Sequence, residues 1–457
     1  MSLFFNKAEI DSVFFNETEL TEIILNGTPV WSAWFTYTLN YDGSYYTISV
    51  RDKTRLPSEV IITATFNGKA IRSIRSSAFR ECENVESIII YADIKSVGDY
   101  TFYGCKNLKR VVLPDSVKSI GDYAFRNCSS LTSIVIPDSV TSIGVGAFDG
   151  CTSLTSINIP NNIETIGDRA FDSTGLNYNV FNGDRYLGNE ANPYVMLKSV
   201  AKTTATEYTV NSNTRVIYDS ALFNHDNLVT IYISSNVKDI NNMALAECSK
   251  LTSIKVDTNN TSYESMDGNL YTKNGTALIQ YAIGKTATDF VIPDSVTSIH
   301  RDAFRECVNI TTITIPDSVT SIGQLAFCGC KGLTGIKLSC NIRTISYKML
   351  ADCGSLSSIE IPNSVTAVGE AAFQYCTNLS SVVIGDSVES IGREAFFGCT
   401  NLSSVVIPAS VTSIGVYAFY GCDSLTIHYK GTEKQWNNIS GSGADGIPVE
   451  YNYNDQE

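Results

Sequence analysis

The chain is poor in the residues on which most enzyme and nucleic-acid chemistry rests. It has three histidines, His225, His300 and His428, which share no motif spacing, and lone histidines ordinarily serve as surface or satisfied core residues. Basic residues are also scarce, 33 Lys and Arg against 47 Asp and Glu, for a formal charge of −14. Phosphate backbones are held by clustered Lys and Arg, so nucleic acid is excluded as a partner and an anionic membrane is disfavoured. No stretch approaches the roughly 18 apolar residues of a membrane span. Nucleophile elbow, phosphate loop, dinucleotide fingerprint and zinc-binding histidine helix are all missing. The carboxylates of "RDAFREC" sit in a recurring turn and read as solvated charge. "DGNLYTKNGT" has fewer acidic positions than a calcium loop and no closing glutamate. These absences point away from an enzyme, and no cofactor or metal is expected.

With 43% hydrophobic and 18% charged residues, the chain is nevertheless a folded one, with a surface rich in Ser, Thr and Asn. Its opening, "MSLFFNKAEIDSVFF", carries no apolar run of signal-peptide length, so no secretory address is expected.

The organising feature is a repeat. Phe79, Phe102, Phe125, Phe148 and Phe171 follow one another at 23-residue steps, as do Phe304 and Phe327, then Phe373, Phe396 and Phe419, with Leu350 in the missing slot. Cysteines three positions later keep the same beat, and eleven of the thirteen occupy that slot. A period of 23 falls in the leucine-rich-repeat range, and "LTSIVIP" from Leu131 has that repeat's skeleton. Within this coil Leu131, Ile134 and Ile136 alternate inward while Ser133 and Val135 face out, as in a short strand. Pro137 ends the strand, because it has no N–H for the ladder. Val140 and Ile143 form a second apolar edge, and Gly144 is assigned a tight bend. "VGAFDGC" is predicted to be a short turn or 3₁₀ piece that plugs Ala147 and Phe148 into the core. One coil buries too little to offset its own ordering, so coils must stack and share a core. Phe125, Cys128, Phe148, Cys151, Phe396, Cys399, Phe419 and Cys422 are the expected structural core.

A recurring cysteine could signal disulfides, metal or packing. Stacked coils bring equivalent Cα atoms to about 4.8 Å, inside the disulfide range, but equivalent side chains point in parallel and their Cβ atoms do not converge as a bridge prefers. A linear row cannot supply a tetrahedral zinc site either. Cysteine as a small buried hydrophobe at a tight corner is the expected use.

From about Val60 to Gln435 these repeats resemble the BspA-like branch of the leucine-rich repeats, seen in bacterial surface proteins and in proteins of gut bacteria and their phages. The resemblance implies a strand-rich α/β solenoid of 23-residue coils, with short turns or 3₁₀ pieces on the outer side, β-hairpin insertions and a small N-terminal β adapter. Two interruptions also look like that family: "YLGNEANPYVMLKSV" near Tyr186, and the segment from Tyr263 whose "KNGT" predicts a hairpin with an Asn-Gly turn. "IHYKGTEKQWNNI" looks like the family's terminal cap. The chain divides on this pattern into an adapter at 1–32, a β cap at 33–75, a first repeat block at 76–172, an insertion at 173–214, middle repeats at 215–257, a β-hairpin insertion at 258–289, a second block at 290–426 and a cap and tail at 427–457.

The outward strand positions form a sheet surface that is aliphatic toward its ends (Ile89, Val112, Val135; Val383, Val406) and varied between. Solenoids usually bind partners on such a face, and Tyr232, Lys255, Lys337 and Glu360 are the candidate ligand-binding residues. Residues 1–32, with "ILNGTPVW", look like the N-terminal segment of phage tail and other virion structural proteins. Phe14, Phe15, Ile24 and Trp31 are the candidate particle-docking residues. The leading expectation is therefore a virion-surface attachment protein, docked to other virion structural proteins through 1–32 and meeting a host-surface protein or glycan. The alternative is a BspA-like adhesin at a bacterial cell surface. A homo-oligomer is compatible with either role, although no coiled-coil heptad is present to supply a trimer.

Overall fold

In the computed structural model each coil contributes two short strands to two separate parallel ladders. Ser133–Ile134 pairs with Ser156–Ile157 one coil on, and Ser142–Ile143 is flanked by Ser119–Ile120 and Thr165–Ile166. Leu131, Ile134, Ile136, Val140 and Ile143 are buried, while Val135 is 74% exposed. The structure describes residues 34–202, 204–441 and 443–453, together with the strands at 13–15, 18–20, 22–25 and 28–32.

The turn segment is not helical, and its hydrogen bonds show why. Backbone N–H groups alternate between two destinations. Those of Ala124, Arg126 and Cys128 donate three residues back, to Gly121, Tyr123 and Phe125. Those of Tyr123, Phe125 and Asn127 donate forward to Val145, Ala147 and Asp149 of the following coil. A helix needs every N–H inside its own turn, whereas here alternate ones are spent on the neighbour. The α part of the α/β expectation and the 3₁₀ pieces are accordingly not found in the coils. Among the described residues the only helices are Glu433–Trp436 and the 3₁₀ turn Lys53–Arg55. The fold is a strand-rich β-solenoid.

Gly144 has a different job from the one expected. Its φ is not positive, and a Cβ there would lie 2.6 Å from both the Asp122 N and the Gly121 carbonyl carbon of the preceding coil. Glycine is required for close approach of stacked backbones. The left-handed positions are Gly146 (φ 57°) and Gly150 (φ 76°), two and six residues later.

Contacts divide the chain into two units: Met1–Ala201 with Asn213–Asp219 and Lys238–Asn241, and Lys202–Ser212 with Ser220–Val237 and Asn242–Glu457. In the first, the sheet of Phe35–Leu39, Tyr45–Val50, Lys69–Ile74 and Thr65–Phe66 closes the N-terminal end of the core, with Phe35 edge-on to Phe79 at 6.0 Å. Phe102, Phe125, Phe148 and Phe171 then stack at 5.1 to 5.7 Å, the spacing that parallel strands impose. Its insertion forms a hairpin, Asn179–Phe181 with Asp184–Leu187, whose partner Met196–Ser199 rejoins the parallel ladder at Val216–Ile217. Where that insertion interrupts the coils, side chains stand in for backbone: Asp239 Oδ2 accepts the Ile166 N–H at 3.1 Å, and Asn241 Nδ2 donates to the Ile166 carbonyl at 2.7 Å.

In the second unit, Glu207–Thr209, Thr230–Ile233 and Ser253–Val256 form a three-stranded parallel sheet. The expected hairpin around Lys273–Thr276 is present, Asn269–Thr272 against Ala277–Gln280, and Tyr263–Met266 adds a third antiparallel strand that sequence reading missed. Phe373, Phe396 and Phe419 stack at 5.0 and 5.3 Å. The terminal cap carries the helix Glu433–Trp436, held by a capping box of Thr432 and Gln435, and the strand Val449–Tyr451 that extends the last ladder.

Candidate functional site

A group of outward polar side chains lies on the three-stranded sheet of the second unit. Equivalent positions of successive coils fall in register, so Thr209, Tyr232 and Lys255 form one row across the strands. Two residues on, just beyond the strands, Asn211, Ser234 and Asp257 form a second row on the same side, as the period of 2 dictates. Val210 and Ile233, between the rows, point into the core. The two rows and Ser212 line an open cleft of about 520 Å³.

Local structure fixes this grid on one flank. The edge of Ser253–Val256 is taken by the hairpin: the Ile254 N–H donates to the Gly268 carbonyl at 2.8 Å, and the Ser265 hydroxyl donates to the Ile254 carbonyl. Asn260, 1% exposed, anchors the hairpin's start. Its amide donates to the carbonyls of Ser234 (2.9 Å) and Val237 (3.0 Å), and its Oδ1 accepts the N–H groups of Ser262 and Tyr263. Inside the cleft Lys255 Nζ lies 3.4 Å from the Tyr232 hydroxyl and 5.0 Å from the ring centre. The ammonium therefore sits nearer the phenol oxygen than the ring centre. Among the described residues Lys255 has no carboxylate within ion-pair distance.

Of the four expected ligand-binding residues, the structure brings Tyr232 and Lys255 together and leaves Lys337 and Glu360 apart. The latter two are exposed, but Gly335–Lys337 is the last strand of one sheet and Ser358–Ile361 the first of another, and neither side chain lines the cleft. Thr209, Asn211, Ser212, Ser234 and Asp257 were missed. Their signal was available, since each occupies the slot of Tyr232 or Lys255, or one just beyond it, in adjacent coils. Phe14, Phe15, Ile24 and Trp31 fall within described strands, but their side chains lie outside the described residues, as do residues 1–12.

The cysteine row is free of disulfides: the described cysteines are all free thiols, buried except for Cys340. Phe125, Cys128, Phe148, Cys151, Phe396 and Cys399 are wholly buried, and Phe419 and Cys422 nearly so. Burial raises the thiol pKa of Cys105, Cys307, Cys376 and Cys422 to about 12 and that of Cys82 and Cys248 to about 11. Such thiols stay protonated and are poor nucleophiles. They are also more than small hydrophobes. Most of the repeat cysteines donate the S–H to a carbonyl in the phenylalanine slot of the preceding coil: Cys105 to Phe79 at 3.0 Å, Cys128 to Phe102 at 3.1 Å, Cys399 to Phe373 at 3.1 Å and Cys422 to Phe396 at 3.2 Å. The same carbonyl also accepts a backbone N–H, as Phe102 does from Cys105 at 3.2 Å. His225, which replaces the repeat cysteine in its coil, keeps the slot polar, with Nδ1 2.9 Å from the Leu222 carbonyl. Among the described residues no group of three or more His, Cys, Asp and Glu is placed to hold a metal ion, and no helix is long and apolar enough to cross a membrane.

Comparison with known proteins fits this architecture. The BspA type leucine rich repeat region matches in six copies over residues 72–193, 199–271 and 297–426, well over half of the chain. Among solved structures the chain is similar to a leucine rich cell surface protein from Faecalibacterium prausnitzii A2-165, at 27% identity over 91% of this chain and 98% of that one, with a TM-score of 0.40. It is similar to a leucine-rich repeat protein from Bacteroides ovatus ATCC 8483, at 26% identity over 92% and 98%, TM-score 0.39. A third similar structure is the pneumococcal vaccine antigen PcpA, at 19% identity over 94% and 98%, TM-score 0.44. No curated protein matches. The likeness of residues 1–32 to virion segments finds no support in these comparisons. The coils, their period and the family match together make this chain a member of the BspA-type leucine-rich-repeat family.

Proposed function

We propose that the chain is a non-enzymatic adhesin of a bacterial surface, which attaches to a glycan or protein on another surface through the outward face of its sheets. The observation that carries this reading is the Tyr232 and Lys255 cleft: an aromatic ring, an ammonium with no carboxylate partner among the described residues, and hydroxyl and amide groups converge on one outward face. Family membership supports the surface location over the virion, because the match covers the coils and begins only at residue 72. The cleft is a site for holding a ligand, since none of its groups is arranged as a nucleophile with a base.

The test is retention of labelled full-length chain on mucin-coated plates, comparing the natural chain with the double variant Tyr232→Ala and Lys255→Ala. Loss of retention with an unchanged far-UV spectrum supports attachment through this face. Equal retention of the two proteins, or none by the natural chain, removes the reading.

A further inference from the structure

From the chemistry of this cleft, and resting on the binding role proposed above, we infer that the ligand is a carboxylated sugar at the exposed end of a glycan. Four observations converge on that class. The cleft opens on a sheet face, where ladder hydrogen bonds run in the plane of the strands, so recognition falls to side chains and a peptide strand gains no backbone pairing there. Val210, Ile233 and Val256 form its floor, beneath the outward Thr209, Asn211, Tyr232, Ser234, Lys255 and Asp257. Such a grid offers polar groups to a ligand's hydroxyls and an apolar floor to its C–H faces.

Tyr232 supplies the single ring of the grid, with the Lys255 ammonium nearer its hydroxyl than its centre. The C–H face of a pyranose is the part of a sugar that packs on such a ring, while Thr209, Asn211, Ser234 and Asp257 offer donors and acceptors to its hydroxyls. The negative charge of the ligand is set by Lys255. Its ammonium faces the cleft with no carboxylate partner, in a chain whose formal charge is −14. Opposite charge at that point is the complement the cleft still needs, and a sugar carboxylate supplies it with two acceptor oxygens. Asp257 lies two residues farther along the chain, in the second row; its Oδ1 accepts the Asn259 N–H at 2.8 Å, and its other oxygen is the one that accepts from a sugar hydroxyl. The volume, about 520 Å³, lies in the range of sites that take small ligands.

The experiment is direct titration of the full chain with 3′-sialyllactose and with a glucuronate-terminated oligosaccharide, with lactose as the neutral control. Acidic sugars should bind at least roughly tenfold more tightly than lactose, and Lys255→Met should erase that preference, the factor expected for one hydrogen bond to a charged group. Tyr232→Ala should weaken acidic and neutral sugars together, and Lys118→Met, at an exposed lysine that does not line the cleft, should change nothing. Equal affinity for acidic and neutral sugars, no binding of either, or an acidic preference that survives Lys255→Met overturns the assignment of ligand class. The mucin assay separates this failure from the broader one. If the double variant loses mucin retention while acidic sugars show no preference, the binding face stands and the ligand class falls. If the double variant retains mucin as the natural chain does, both fall.

Discussion

The cysteine row allows a sharp quantitative test. A thiol reacts as its thiolate, so its rate at fixed pH falls with each step its pKa rises above ambient. Cys105, Cys307, Cys376 and Cys422 are raised to about 12 by burial, from an ordinary value of 9.0. At pH 8 that lowers their thiolate fraction by about a thousandfold, before any barrier to reagent entry is counted. Cys340 is exposed; its pKa is also raised, chiefly by its hydrogen bond with Asp317, but nothing blocks access to it. Titration of the native chain with a disulfide-exchange reagent at pH 8 should therefore show one fast equivalent, abolished by Cys340→Ser, and twelve that react only as the coils open. In denaturant without reductant all thirteen thiols should react. Fewer than thirteen would mean bridges and would refute the packing account. Several fast equivalents in the native chain would refute the burial on which the pKa argument rests.

What could be read in the sequence divides along a physical line. The coil's inward set, Leu131, Ile134, Ile136, Val140, Ile143 and Phe148, is legible because a one-sided core imposes period 2 along a strand and period 23 along the chain. The Asn274-Gly275 hairpin is legible because its turn chemistry is local. Features set by the neighbouring coil are not. Gly144 looks like a bend residue until the preceding backbone is found at 2.6 Å. "VGAFDGC" reads as a short turn or a 3₁₀ piece, and the alternate N–H groups that leave for the next coil decide for the turn. The role of the thiol as a donor was hidden because Cys is as good a small hydrophobe as it is a weak donor; the clue was His225, a polar residue in a slot that packing alone would fill with Ala or Val. Asp239 and Asn241 replace backbone partners of Ile166 from more than 70 positions away, and no periodic signal marks such a splice. Among the site residues, register placed Lys255 beside Tyr232, whereas Lys337 and Glu360 stand on strands of separate sheets. These are also 23 apart, yet the ladder ends between their strands.

Two further consequences concern stability. Gly415 and Gly421 share the last coil but do different work: a Cβ on Gly415 would meet the Arg393 N at 2.4 Å, whereas Gly421 has φ 81° and open space to 3.4 Å. Gly415→Ala should therefore cost about 3 kcal/mol by forcing the coils apart, and Gly421→Ala only about 1–2 kcal/mol of left-handed strain. Amide exchange in the last coil would measure both, and an equal or reversed ranking would refute the close-approach role. Asp239 carries a pH dependence. Its pKa is raised from 3.8 to about 6, first by burial and then by the nearby Asp168 carboxylate. Well below pH 3.8, folded and unfolded states both hold the proton and no penalty exists. Between about pH 4 and 6 the unfolded chain ionises first, so stability falls as pH rises, and above 6 the full cost of a buried charge, up to about 3 kcal/mol, is present. Asp239→Asn keeps an oxygen for the Ile166 N–H and removes the charge. The variant should unfold at a higher temperature than the natural chain at pH 7.5, with the gap closing toward pH 4. A gap that is constant with pH would show that Asp239 is not ionised in the folded chain at neutral pH, or that its charge is met by a partner.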